Sequence, residues 1–144
     1  MKNLLFLLFS VTLLTACGDD QLETDIDLIE QYLADNGIED FEQDDSGLFY
    51  KIDSEGNGSS PNLNSEVTVN YVGTFLDGTE FDSGNNITFP LFGVILGWQI
   101  GIPKLEKGGS GRLFIPSELA YGEQGRPGIP SNAVLIFDID LIDF

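Results

Sequence analysis

The chain has no histidine, one cysteine and one methionine, and six lysines and arginines against 24 aspartates and glutamates in 144 residues. Each scarcity removes a class of chemistry. Without histidine there is no imidazole base, no His-containing triad and no His-ligated metal. With one cysteine no disulfide can close within the chain. A formal charge of −18 repels nucleic-acid phosphates and anionic lipid headgroups, which argues against nucleic acid as a partner. Carboxylate-bound calcium is the metal chemistry so acidic a chain could still offer, but no Asp-rich stretch has the regular ligand spacing of a calcium loop. The expectation is a protein without metal or cofactor. Its length suits one domain, and about 125 residues after a short leader can bury one core.

Residues 1–16 read as that leader. Lys2 is a one-charge start, and Leu4 to Leu14 is an apolar run too short to span a bilayer as a helix. It ends in Leu14-Thr15-Ala16-Cys17, which resembles the bacterial lipobox, where cleavage precedes a lipid-modified cysteine. The implied protein is anchored to a membrane through Cys17 and does not span it. Gly18 rather than Asp follows the cysteine, which by analogy with lipoprotein sorting favours the outer membrane within the cell envelope.

The mature chain divides by pattern. Residues 18–24 read as a polar tether. Ile26, Ile29, Tyr32 and Leu33 are spaced three and four apart, the apolar face of a helix from Asp25 to Asn36. Thr24 or Asp25 would cap its start and Gly37 its end. A helix this short must dock on something, and packing on its own domain is favoured over dimerisation. Residues 39–46 read as an acidic linker, so the folded domain is expected to begin near Gly47 and to stand without the preceding arm. Strands are expected at Leu48–Ile52, Glu66–Phe75, Gly111–Ile115 and Ala133–Phe144, where apolar residues alternate. Asp77-Gly78 is a hairpin turn, and a short helix fits between Trp98 and Lys107. The sum is an α+β domain.

Several aromatics, with Asp82 beside Phe81, fall on these short strands and on Gly/Pro loops. In order they read Tyr71-Val72-Gly73, Phe81-Asp82-Ser83, Val94-Ile95-Leu96-Gly97-Trp98, Ala120-Tyr121-Gly122, Gly125-Arg126-Pro127-Gly128-Ile129-Pro130 and Phe137-Asp138-Ile139-Asp140-Leu141. Taken singly, each aromatic could be ordinary core. In this order the blocks resemble the FKBP-type peptidyl-prolyl cis-trans isomerases over residues 47–144. The resemblance implies a twisted antiparallel β-sheet wrapped over a short α-helix, here with an N-terminal helical arm. It implies a pocket with Trp98 as floor, Tyr71, Phe81, Val94, Ile95 and Phe137 as walls, Asp82 and Tyr121 at the polar rim, and Ile129 at the flap end. The Ile95 N–H would receive the carbonyl of the bound peptide. A further wall residue aligns with Ile87 or Phe89, and the sequence leaves that open. Arg126 reads as a solvated flap charge.

The implied partners are proline-containing unfolded or partly folded polypeptides and the macrolide inhibitors of the family. The implied role is assistance to the folding of exported proteins. Rotation about an X–Pro bond needs neither nucleophile nor proton shuttle, which suits a chain without histidine. The other readings are a non-catalytic proline-binding chaperone module on the same fold, and a structural lipoprotein with an unrelated ligand.

Overall fold

In the computed structural model, residues 17–144 are described; the expected leader lies outside them. The sheet grows from residues whose apolar side chains alternate. Strand β3 (Glu66–Thr74) buries Val67, Val69 and Gly73, and its neighbour β6 (Leu135–Asp143) buries Leu135, Phe137, Ile139 and Leu141. With β1 (Glu42–Gln43), β2 (Phe49–Ser54), β4 (Glu80–Pro90) and β5 (Ser110–Ile115) they form a six-stranded sheet in the order β1-β2-β5-β6-β3-β4. Every pairing is antiparallel. The β3–β4 hairpin turns at Asp77-Gly78 as expected, with Gly78 at φ +85°.

Short α2 (Leu96–Gly101) lies on one face of the sheet and continues as a single 3-10 turn at Ile102–Lys104. It starts two residues before Trp98, earlier than the sequence suggested. Pro103 lacks the N–H that would prolong an α-helical ladder. Two glycines set how closely α2 can approach β5. A Cβ at Gly97 would lie 2.5 Å from Ile115, and one at Gly101 would lie 2.5 Å from Leu113. The helix therefore packs backbone to side chain, and Trp98, Ile102 and Leu105 join the main core.

The opposite face is apolar too, and α1 (Cys17–Asp35) covers it. Ile29 and Leu33 are buried against Phe49, Phe114, Val134 and Ile136. The favoured expectation, a helix packed on its own domain, matches this contact. Its start does not match: residues 18–24 are helical, where a tether was expected. Leu22 prolongs the Ile26–Ile29–Leu33 stripe by one turn and lies next to Gly47. Thr24 and Asp25 are accordingly not caps. The Thr24 hydroxyl donates to the Asp20 carbonyl within the helix. Asp25 is fully buried and accepts from both the N–H and the hydroxyl of Ser117. At the other end Gly37 takes φ +64°, and the Ile38 and Gly37 N–H groups return to the Leu33 and Ala34 carbonyls, a glycine-closed helix end.

Two further expectations shift. The acidic stretch 39–46 contains β1, paired with β2, and so is not wholly linker. The hairpin turn implied a partner strand, but no pattern in the residues set the bounds of β4. It is an edge strand and most of its residues are exposed, so it lacks an apolar alternation to read. Between Val69↔Ile87 and Tyr71↔Gly84 its register gains a residue. Asn86 takes φ +57° there, and its N–H is met by the Asn70 side chain. This β-bulge re-aims the residues that follow it.

Candidate active site

Between the sheet and α2 lies a cleft of about 770 Å³. Its floor is Trp98, which is 6% exposed. No acceptor meets its indole Nε1 among the described residues, so the ring is held by its aromatic neighbours rather than by a hydrogen bond. Tyr71, Phe89 and Phe137 surround it, with centroids at 5.1, 5.3 and 5.0 Å. Tyr71 and Phe137 meet it edge-on, at 79° and 83°, the arrangement aromatic quadrupoles favour. Phe81 adds a second edge-on contact to Phe137 at 5.5 Å.

All nine residues named from the sequence, Tyr71, Phe81, Asp82, Val94, Ile95, Trp98, Tyr121, Ile129 and Phe137, line this cleft. The choice between Ile87 and Phe89 resolves as both. The bulge in β4 puts Phe89 against Trp98, while Ile87 lines the cleft but remains 43% exposed at its lip. Sequence reasoning missed the backbone lining at Gly93, Ala120 and Gly128, and Pro127. Only the ordered motifs around these positions could have signalled them.

Polar groups are few. The Tyr71 hydroxyl donates to Asp82 Oδ2 at 2.8 Å. Burial first, and the Asp82 bond second, push the Tyr71 phenol up to about 12. Arg126 is exposed, as expected of a flap charge, yet it is not idle. Its guanidinium stacks over the Tyr121 ring at 5.0 Å, and Nη1 donates to the Tyr121 hydroxyl oxygen at 2.9 Å. The Tyr121 proton is thereby directed elsewhere, where a ligand could accept it. The loop before α2 is tied by Gln99, whose Nε2 donates to the carbonyls of Val94 at 2.8 Å and Phe92 at 3.3 Å. No cluster of three His, Cys, Asp or Glu side chains suited to a metal occurs among the described residues.

A stability consequence follows from the raised phenol. A group whose folded-state pKa exceeds its ordinary value contributes stability in full below that ordinary value and loses it as pH rises through the folded value. For Tyr71 the window runs from 10 to about 12. Tyr50, held by Glu42, behaves alike. The difference between alkaline phenolate titrations of the wild type and Tyr71→Phe should place this phenol near the upper limit. Ionisation at the ordinary value, with the fold still intact, would contradict the burial.

This geometry offers an apolar chamber with one carboxylate–phenol pair, a second phenol and exposed backbone. A family model described as FKBP-type peptidyl-prolyl cis-trans isomerase matches residues 58–142. The chain is 42% identical over 118 residues to the FKBP-type peptidyl-prolyl cis-trans isomerase FkpA of Escherichia coli K12, covering 79% of this chain and 43% of that protein. The crystal structure of the Escherichia coli protein superposes with a TM-score of 0.76 at 38% identity, over 88% of this chain and 61% of that one. Identity to the peptidyl-prolyl cis-trans isomerase Mip of Coxiella burnetii is 49% over 102 residues, 67% of this chain and 44% of that protein. A peptidyl-prolyl cis-trans isomerase from Pseudomonas syringae pv. tomato superposes with a TM-score of 0.73 at 31% identity, over 84% of this chain and 93% of that one. The chain thus spans less than half the length of these curated relatives.

Proposed function

Because the chain belongs to the family of FKBP-type peptidyl-prolyl cis-trans isomerases, we propose that its cleft catalyses rotation about X–Pro bonds in unfolded or partly folded polypeptides. The observation that carries the proposal is the chamber itself: Trp98 ringed by Tyr71, Phe89 and Phe137, with Tyr71 bonded to Asp82 at the rim.

Amide resonance sets a rotation barrier of about 18–20 kcal/mol. At X–Pro the two planar isomers lie within about 1 kcal/mol, and exchange takes tens to hundreds of seconds. The planar amide is the more polar species. Twisting breaks C–N resonance and reduces charge on the carbonyl oxygen. An aromatic chamber that excludes water therefore disfavours the planar ground state relative to the twisted one. In this reading Trp98, Phe89 and Phe137 receive the proline ring, the Ile95 N–H and the Tyr121 hydroxyl hold the backbone, and Asp82 fixes Tyr71. Each 1.4 kcal/mol of differential stabilisation is about tenfold in rate. No proton moves.

The soluble chain starting at Gly18 should accelerate cis–trans exchange of a proline peptide. A chain that binds proline peptides but leaves their exchange rate unchanged would be the non-catalytic chaperone module instead. Macrolide inhibitors of the family are expected to occupy the same chamber and to compete with the peptide.

The anchored form belongs to the same proposal. Leu14-Thr15-Ala16-Cys17 after a short apolar run supports acylation of Cys17 and attachment to the cell envelope at the outer membrane. There the clients would be exported proteins. Among the described residues no helix is long and apolar enough to cross a membrane. Cys17→Ser should shift the protein from the detergent phase to the aqueous phase or leave an uncleaved precursor. Partitioning identical to wild type would sink the anchor.

A further inference from the structure

In a trans peptide link the C=O and N–H point in opposite directions, so a side chain that holds one aims the other. The described residues contain no cis peptide. The link between Val94 and Ile95 lies outside any strand or helix ladder, between two extended residues with ψ 179° at Val94 and φ −57° at Ile95. Its neighbours are held. The Val94 N–H reaches the Leu91 carbonyl at 3.5 Å, and the Ile95 carbonyl accepts from Trp98 and Gln99. The link itself is held through its carbonyl by the side-chain amide of Gln99, at 2.8 Å in a partly buried setting. The Ile95 N–H, on the far side of the same plane, donates to no backbone carbonyl among the described residues. Val94 and Ile95 both line the cleft.

We propose that Gln99 is a positioning residue: its amide pins the Val94 carbonyl and so aims the Ile95 N–H at the carbonyl of the bound peptide. The role rests on the isomerase reading above. Concerted rotation of ψ at Val94 and φ at Ile95 can rock a peptide plane while leaving both neighbours in place, and the Gln99 bond is what opposes that rocking. The same Nε2 also reaches the Phe92 carbonyl. Position 99 therefore faces two acceptors and needs a donor. A carboxylate there would meet two carbonyl oxygens and hold neither.

Two substitutions separate aiming from simple packing. Gln99→Met keeps the length and removes the donor. Losing one hydrogen bond from the oriented state should lower kcat/KM for a proline peptide roughly threefold to tenfold, with the urea midpoint close to wild type. Gln99→Glu should be at least as impaired at neutral pH. As the pH is lowered towards about 5, its carboxyl protonates, regains an O–H donor and should recover towards wild-type kcat/KM. Wild type and Gln99→Met should show no such recovery. In NMR spectra the Ile95 amide proton should shift on adding the peptide to wild type, and shift less in Gln99→Met.

Active wild type with both variants within about twofold of it, or a Gln99→Glu profile without acid recovery, overturns the positioning role and leaves the isomerase reading standing. An inactive wild type overturns the isomerase reading instead. The Ile95 amide then judges the clamp alone, and identical Ile95 signals in wild type and Gln99→Met would refute it.

Discussion

A chain beginning at about Asp45 should lose its cooperative unfolding transition. The matched family region starts at residue 58, and the sequence encouraged a boundary near Gly47, so the expected outcome rests on packing alone. Removing α1 uncovers Phe49, Phe114, Val134 and Ile136, each no more than 4% exposed in the whole chain. It also removes Ile29 and Leu33. Deleting one such buried side chain typically costs about 2–5 kcal/mol, against a total stability of about 5–15 kcal/mol for a domain. Loss of Asp25 adds to this by removing the acceptor that the Ser117 N–H and hydroxyl share. Ser117 opens the turn that leads to Ala120 and Tyr121, so the damage should reach the rim of the cleft. Ile29→Ala is the milder version and should cost about 2–5 kcal/mol in urea unfolding. A truncated chain with a sharp transition and full activity would show that the exposed apolar face is tolerated and that the boundary follows the family resemblance.

The second large effect is on rate. Asp82→Leu should lower kcat/KM for a proline peptide about tenfold while the thermal midpoint stays near wild type. Asp82 is exposed, so its removal leaves no cavity in the core. It does take away the acceptor for the Tyr71 hydroxyl at 2.8 Å. Tyr71 packs edge-on against the Trp98 floor, so freeing its hydroxyl loosens a wall of the chamber. Tyr121→Phe should act similarly through loss of a donor at the rim, and it also removes the acceptor for Arg126 Nη1. Unchanged kcat/KM in both variants would remove the polar rim from the mechanism.

How much of this was legible in the residues depended on pattern strength. Strands β3 and β6 were legible because one apolar face of each enters the main core, and Trp98, Tyr71 and Phe137 sat in ordered motifs. Strand β4 was invisible because an exposed edge strand with a bulge at Asn86 carries no periodic apolar signal. Its two pocket residues, Ile87 and Phe89, could therefore not be assigned. The first turn of α1 was misread because a polar helix start looks like a tether, and a buried aspartate looks like a cap until Ser117 arrives from 92 residues away. Ile136 falls on the face opposite Leu135 and Phe137, yet it too is buried, under α1. Alternation identifies two faces but cannot reveal that a helix covers the second. Gln99 was silent for a simpler reason: a lone glutamine on a short helix has no sequence signature, and its meaning lies in the two carbonyls it meets.

The central claim is that desolvation and backbone positioning, without proton transfer, accelerate X–Pro rotation in this cleft. The most direct test is the pH profile of kcat/KM for a proline peptide across about pH 6 to 8, where an essential acid or base would titrate. The chain has no histidine, and its cleft phenol Tyr71 is held up at about 12. Clear acceleration with a flat profile is the expected result. A bell-shaped profile centred in that range would mean that a proton moves in the transition state, and the desolvation mechanism would have to be abandoned.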